Sequence, residues 1–323
     1  MPIDPPTAAT SQYGTPVTPG RVHTFEEISV GMEFGPLKQL FDEHTARAYA
    51  FSVGDYSFFD NGGGLKQQCA AYSAWAAKRL MHLYMLTVFD PAGIKAVHLK
   101  EDIELVAPVR IGQHLTMKGH CVGKYLKKGR GMVAIEAEAR DEAGNILIRQ
   151  RSLEIVPVAD VASASGGEEP ADAHLLSGVR VSPEAPDAPV IVRPDDYQGE
   201  VAALPVMTRT IHQDQIAVFC GANEGWENLH TSNAIAQAAG FARPIMSGLI
   251  HSCWHIEQLG RFFGEGVASS MRLGNTYMKP VEADSTVECH ARIIMTDRSR
   301  WLVKLWNSCD GDIVASGMAE IPA

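Results

Sequence analysis

The sequence predicts an α+β protein built from one unit used twice, each unit an antiparallel sheet wrapped around a central helix. Three observations carry that expectation. Segments of the two halves match in order at offsets of about 170 residues: "LVAPVRIGQHLTMKG" with "YMKPVEADSTVECHA", "RDEAGNILIRQRSLEIVP" with "LWNSCDGDIVASGMAEIP", and "EHTARAYAFSVGD" with "IHQDQIAVFCGAN". A stretch dominated by Ser, Gly, Pro and acids separates the halves, as in a linker that cannot bury a core. Each half places one long helical segment ahead of segments that alternate apolar and polar residues.

Taken in order, residues 1–24 are rich in Pro, Thr and Ala and are expected to form a flexible arm. Residues 25–160 form the first unit. Its segment "LKQQCAAYSAWAAKRLMHLYML" lacks Gly and Pro and reads as a largely buried helix. "HLTMKGHCVGKYL", "GMVAIEAEARD" and "NILIRQRSLEIVP" read as antiparallel strands, and "DEAGN" as a hairpin turn. Residues 161–200 are the linker, and residues 201–323 repeat the unit. There "SGLIHSCWHIEQLGRFF" is the helix, followed by strands in "STVECHARIIM", "RWLVKLWNS" and "DIVASGMAEIP" and a turn at "CDGD". Two such units could join edge to edge.

At 323 residues, 46% hydrophobic and 20% charged, the chain suits two globular domains. Its formal net charge of −10 argues against nucleic acid or a membrane surface as partner. The six cysteines are scattered with no C-x-x-C pair, which favours a reducing compartment. The N-terminus has neither the basic start nor the apolar core of a secretory signal, and no apolar run is long enough to span a bilayer. A cytoplasmic protein is expected. His251 and His255 lie four apart on one helix, a spacing able to ligate a metal, but no third ligand is placed near them. No metal or other cofactor is expected. The basic run at residues 124–130 reads as a solvated hairpin tip, with contact to coenzyme A phosphates as the sharper alternative.

The stretch "FCGANEGWENLHTSNAIAQAAGF", residues 219–241, has the form of an active-site loop. A polar, glycine-containing turn ends on one histidine, His230, and runs into an alanine-rich helix. The segments "CGANEGWENLH", "AAGFARPIMSGL" and "YMKPVEADSTV" together resemble the hydratase motif of the MaoC-like hot-dog proteins, which include the (R)-specific enoyl-CoA hydratases. That motif reads A-G-A-[ST]-G-D-x-N-P-[IL]-H, followed by G-F-x-x-P-I-x-H-G-L. The resemblance covers most of the chain and implies a double hot-dog. It also implies a hydratase or dehydratase acting on a 2-enoyl-CoA or 3-hydroxyacyl-CoA thioester, with homodimers or higher homo-oligomers expected.

Laid ungapped on that motif, His230 takes the catalytic histidine's place. Gly225 falls in the aspartate's column, Glu227 in the asparagine's and Asn228 in the proline's, while Ser247 replaces the histidine before Gly248. The first half keeps the Gly-Asp pair as Gly54 and Asp55 but has Asp60 where the histidine would stand. Three carboxylates are therefore candidates to pair with His230: Glu224, Glu227 and, across the interface between units, Asp55. The chemistry needs a base for water and an acid for C2, with a donor for the enolate oxygen. The resemblance assigns that last role to the Gly248 amide, with Ser247 and Trp226 beside the substrate. Trp226, Phe58 and Phe59 suggest a partly aromatic pocket. The altered acid leaves a branched or carboxylated acyl group open, as in mesaconyl-CoA-type hydratases. It also leaves open a hot-dog thioesterase, a non-catalytic acyl-CoA-binding protein and a partner subunit.

Overall fold

A computed structural model of the chain describes residues 24–60, 63–88, 96–159, 188–296 and 299–323, and residues 161, 164, 166, 167, 176 and 177 of the linker, leaving out the side chains of residues 86–88, 224 and 296. The expected arm, apart from residue 24, and most of the linker lie outside the described residues. The first unit comprises β1 (Glu33–Phe41), α1 (Glu43–Val53), α2 (Ala70–Val88), β2 (Val97–Leu105), β3 (Gln113–Lys127), β4 (Arg130–Arg140) and β5 (Ile146–Val156). The second comprises β6 (Ala202–Ala203), β7 (Met207–Thr210), α3 (Gln213–Phe219), α4 (Asn233–Ala238), α5 (Leu249–Phe263), β8 (Arg272–Tyr277), β9 (Thr286–Thr296), β10 (Arg300–Cys309) and β11 (Asp312–Pro322). The order repeats, with α1 answered by α3, α2 by α5 and β2–β5 by β8–β11.

All these strands pair antiparallel in one 11-stranded sheet ordered β1-β3-β4-β5-β2-β8-β11-β10-β9-β6, with β7 also on β9. The seam is β2 on β8, where Asp102 faces Gly274. This is the double hot-dog: two sheets joined at one edge, each curled over its own helix. The stretch at residues 124–130 is the β3–β4 hairpin, its tip turned by Lys128 and Gly129 in the left-handed region.

The central helices are buried on all sides, their apolar side chains interleaved with buried polar ones such as His82, His251 and His255. Every described side chain of α2 from Ala70 to Tyr84 is buried, and so is α5 from Leu249 to Leu259. Two large rings, Trp75 and Trp254, anchor the two cores. The units also meet through α1 and α3. Trp254 Nε1 donates to Val53 O at 2.8 Å and Gln215 Nε2 to Phe51 O at 2.9 Å, so the end of α1 is tied to the second unit. Asp55 follows immediately, 1% exposed, with Arg261 3.8 Å away and the buried Glu257 bound by both Arg209 and Arg261.

One strand departs from simple alternation. On β5 the apolar Leu153 and Ile155 are only half buried, whereas Gln150, Ser152 and Glu154 point inward and are buried. Glu101 on β2, Asn275 on β8 and Asn307 on β10 are likewise buried. The middle of the sheet, from β5 to β10, therefore shows polar groups to the helices where a plain core would be apolar. Buried polar side chains are costly unless paired, so this layer is where a function is to be sought.

Candidate functional site

The described chain holds a cavity of about 530 Å³ between the two units. Its walls come from α2 (Met81, His82, Tyr84, Met85), the start of β2 (Ala96, Val97, His98), Glu154 of β5, the loop residues Leu229 and His230, the segment from Ile245 to Gly248 with His251, and residues from Tyr277 to Val281. Val97 and Met278 are exposed apolar residues of the same lining.

The loop that delivers His230 is shaped by two glycines. Gly221 (φ 92°) and Gly225 (φ 78°) bracket a 3-10 turn at Ala222–Glu224, and the Trp226 ring packs where a Cβ on Gly221 would stand. Asn228, 2% exposed, then fixes the histidine's backbone. Its Oδ1 accepts from His230 N at 2.9 Å, its own N–H donates to Thr231 Oγ1 at 2.9 Å, and its Nδ2 donates to Cys220 O at 3.5 Å.

The His230 ring is held by a 2.7 Å hydrogen bond between Nδ1 and the carbonyl of Ile245. A carbonyl only accepts, so Nδ1 carries the proton and Nε2 presents a bare lone pair. Burial lowers the imidazole below its ordinary value of 6.5, outweighing the Ile245 bond that raises it. His82 on α2, whose charge couples with it, is also kept neutral, by burial and by Lys78 and Arg79. The site therefore offers a neutral base at physiological pH.

Of the expected partners, Glu227 is exposed and absent from the cavity wall. Asp55 is committed to the Arg261 and Glu257 cluster and does not line the cavity. The Glu224 side chain lies outside the described residues. Trp226 is buried behind the wall, its ring 4.9 Å from that of His82. Phe58 stacks on Tyr49 in the first core, and Phe59 on Tyr56. The rings that do line the cavity are Tyr84, Phe241 and Tyr277. Ser247 and Gly248 are in the wall with His230. Gly248 precedes α5, and a Cβ on it would come within 2.6 Å of the Tyr277 ring. Tyr277 cannot easily yield, since its hydroxyl is 2.8 Å from Ser252 Oγ and its ring stacks on His251.

Sequence reasoning missed a second polar group in this wall. His98 Nε2 lies 2.6 Å from Glu101 Oε2 and 3.8 Å from Glu154 Oε1, and Glu154 accepts from the Tyr84 hydroxyl at 2.7 Å. Burial pulls the His98 imidazole down, but the Glu154 and Glu101 carboxylates outweigh it and raise the ring to about 9. Burial raises Glu101 to about 7 against the opposing pull of His98. His251 and His255 are not poised as metal ligands: Asn307 Nδ2 lies 2.8 Å from His251 Nδ1, and Asn275 Nδ2 lies 3.2 Å from His255 Nδ1. Among the described residues no group of three or more His, Cys, Asp or Glu could hold a metal. Among them, too, no helix is long and apolar enough to cross a membrane.

Solved structures with the same architecture span nearly the whole chain. A protein named as a MaoC domain dehydratase from Chloroflexus aurantiacus J-10-fl aligns with a TM-score of 0.67 at 13% identity, over 93% of this chain and 97% of its own. A MaoC-like dehydratase from Phytophthora capsici aligns with a TM-score of 0.63 at 15% identity, over 91% and 96%. A Mycobacterium tuberculosis protein described as a double hot-dog aligns with a TM-score of 0.66 at 11% identity, over 94% and 99%. No family model matches the sequence, and no curated protein matches it. The chain has the double hot-dog fold that the MaoC-like dehydratases share.

Two predictions arise from this geometry. Asn228→Ala removes the acceptor that fixes His230 N and is expected to lower the turnover number about 10-fold, the scale of one lost buried hydrogen bond. Asn228→Asp keeps an acceptor oxygen and should recover most of that loss, and equal rates for both variants would refute the role. The pH dependence follows from His230. The base form is lost on protonation, and the pKa lies below 6.5. Initial rates should therefore be flat through neutral pH and fall only on the acid side. A limb centred above pH 7 would contradict the assignment.

Proposed function

We propose that the protein is an acyl-CoA hydratase or dehydratase, adding water to a 2-enoyl thioester of coenzyme A or removing it from the 3-hydroxyacyl form. The observation that carries this reading is His230, its Nδ1 bonded to the Ile245 carbonyl, in the wall of a largely apolar cavity that also contains the start of α5 at Gly248. The shared fold with the MaoC-like dehydratases supports it.

In this reading a water bound at His230 Nε2 gives up a proton as its oxygen adds to C3. The thioester carbonyl takes up the electrons as an enolate, and the Gly248 amide and the positive end of α5 stabilise the developing charge. The imidazolium then returns the proton to C2 on the same face, so one residue closes the cycle. With its pKa lowered by the surrounding protein, that imidazolium is a stronger acid than a free one, which favours the second transfer. The absence of a paired aspartate also supports a second reading, a protein that binds acyl-CoA without turnover. Incubation with crotonyl-CoA separates the classes: loss of the enoyl absorbance reports hydration, release of free thiol reports a thioesterase, and neither change with tight binding reports the second reading.

We further propose that the double hot-dog associates as a homodimer, the commonest closed arrangement of soluble homo-oligomers. Light scattering should return twice the 35.0 kDa of one chain, and the single-chain value at micromolar concentration would refute the dimer.

A further inference from the structure

The cavity wall supplied by the first unit carries charged groups among its apolar side chains. Beyond Gly248 comes the Tyr277 ring, then the His98 ring 4.9 Å from it, then the Glu154 carboxylate. Glu154 is 3% exposed and lines the cavity. Its Oε1 accepts from Tyr84, and no donor among the described residues is bonded to its Oε2. His98 stands beside it in the wall, with the buried Glu101 behind, and the two carboxylates raise the His98 ring to about 9. A plain alkyl pocket would have no use for this wall, which costs free energy to bury.

We propose that His98 and Glu154 form the specificity-determining end of the cavity and select an acyl group that carries a neutral hydroxyl. The inference rests on the reading that the cavity takes an acyl thioester. It follows from charge and hydrogen-bond capacity. An alkyl terminus packed here would leave the open Glu154 oxygen desolvated and without a donor. A carboxylate on the acyl chain would meet the charge of Glu154, and an ammonium would meet that of His98. A hydroxyl donates to Glu154 without adding charge, and its oxygen faces the cationic side of the pair. The selected hydroxyl belongs to the part of the acyl group beyond the Tyr277 ring, separate from any C3 hydroxyl formed by hydration.

The test is calorimetric binding of saturated acyl-CoA thioesters from hexanoyl to decanoyl, each paired with its ω-hydroxy counterpart. The intact protein should bind the hydroxylated member about 10- to 100-fold more tightly at one or more chain lengths, the range of a hydrogen bond to a buried charge. Glu154→Leu should abolish or reverse that preference, and Glu154→Gln, which keeps a neutral acceptor, should reduce it. Equal or tighter binding of the plain chain at every length in the intact protein would overturn the proposal, whether or not the variants fold. Binding is read without turnover, so the two readings fail separately. Acyl thioesters bound without preference sink the hydroxyl selection alone. A protein that binds none of them sinks the acyl-CoA reading itself.

Discussion

Replacing His230 by alanine is expected to lower the hydration rate about 100- to 10,000-fold, the range for a general acid/base group. The substitution removes a side chain that reaches the cavity with a base nitrogen left free by its own hydrogen bond. Because the same ring takes the proton from water and returns it to C2, the loss should fall on the turnover number more than on KM. His230→Gln offers an amide of similar reach that cannot take the proton, and should be as inactive as the alanine variant. Glu227→Gln is expected to keep the intact rate, since Glu227 is exposed outside the cavity. An active His230→Ala protein would remove the chemical basis of the hydratase reading.

The second large effect concerns the junction between units. Trp254 is 1% exposed in α5, and its indole N–H is bonded to Val53 at the end of α1. Trp254→Ala should destabilise the protein by about 3–5 kcal/mol, the usual cost of removing a buried large aromatic. The measurement is the denaturant midpoint with the slope checked for constancy. Trp254→Phe keeps most of the bulk and loses the bond, so its cost should be nearer 1 kcal/mol. A near-neutral alanine variant would mean that the α1–α5 contact contributes little to holding the units together.

The fold was legible because its determinants are repeated and local. The alanine-rich run of α2, the hairpin turns after β4 and β10 and the matched segments on either side of the linker all point to two copies of one unit. The site was legible only in part. His230 and Gly248 stand in a recognisable order, so both could be named. The hold on the His230 backbone was not legible, because only the structure shows Asn228 bonded to it. Glu224 and Glu227 looked plausible in one dimension because they flank the vacant column at Gly225.

The His98–Glu154 wall was invisible for a different reason. Alternation in "SLEIV" invites Leu153 and Ile155 inward, whereas the strand turns Ser152 and Glu154 to the interior. Local pattern is expected to mislead where a buried surface is shaped for something other than packing. His98 carries no motif either, since its partners come from β2 itself at Glu101 and from β5, which is distant in sequence. Asp55 shows the converse. Its Gly-Asp pair resembles half of a catalytic dyad, yet its carboxylate is engaged beside Arg261 and Glu257 at the junction of the units.

The central claim is that His230 moves one proton from water to C2 of an enoyl thioester, and product analysis in heavy water tests it most directly. With crotonyl-CoA as substrate, the account predicts loss of the enoyl absorbance, a hydroxyl at C3, one deuterium at C2 and no free thiol. The His230→Ala protein should leave the substrate unchanged over the same time. An intact enoyl thioester after prolonged incubation with the unaltered protein, or release of coenzyme A thiol in place of the 3-hydroxyacyl product, would contradict it.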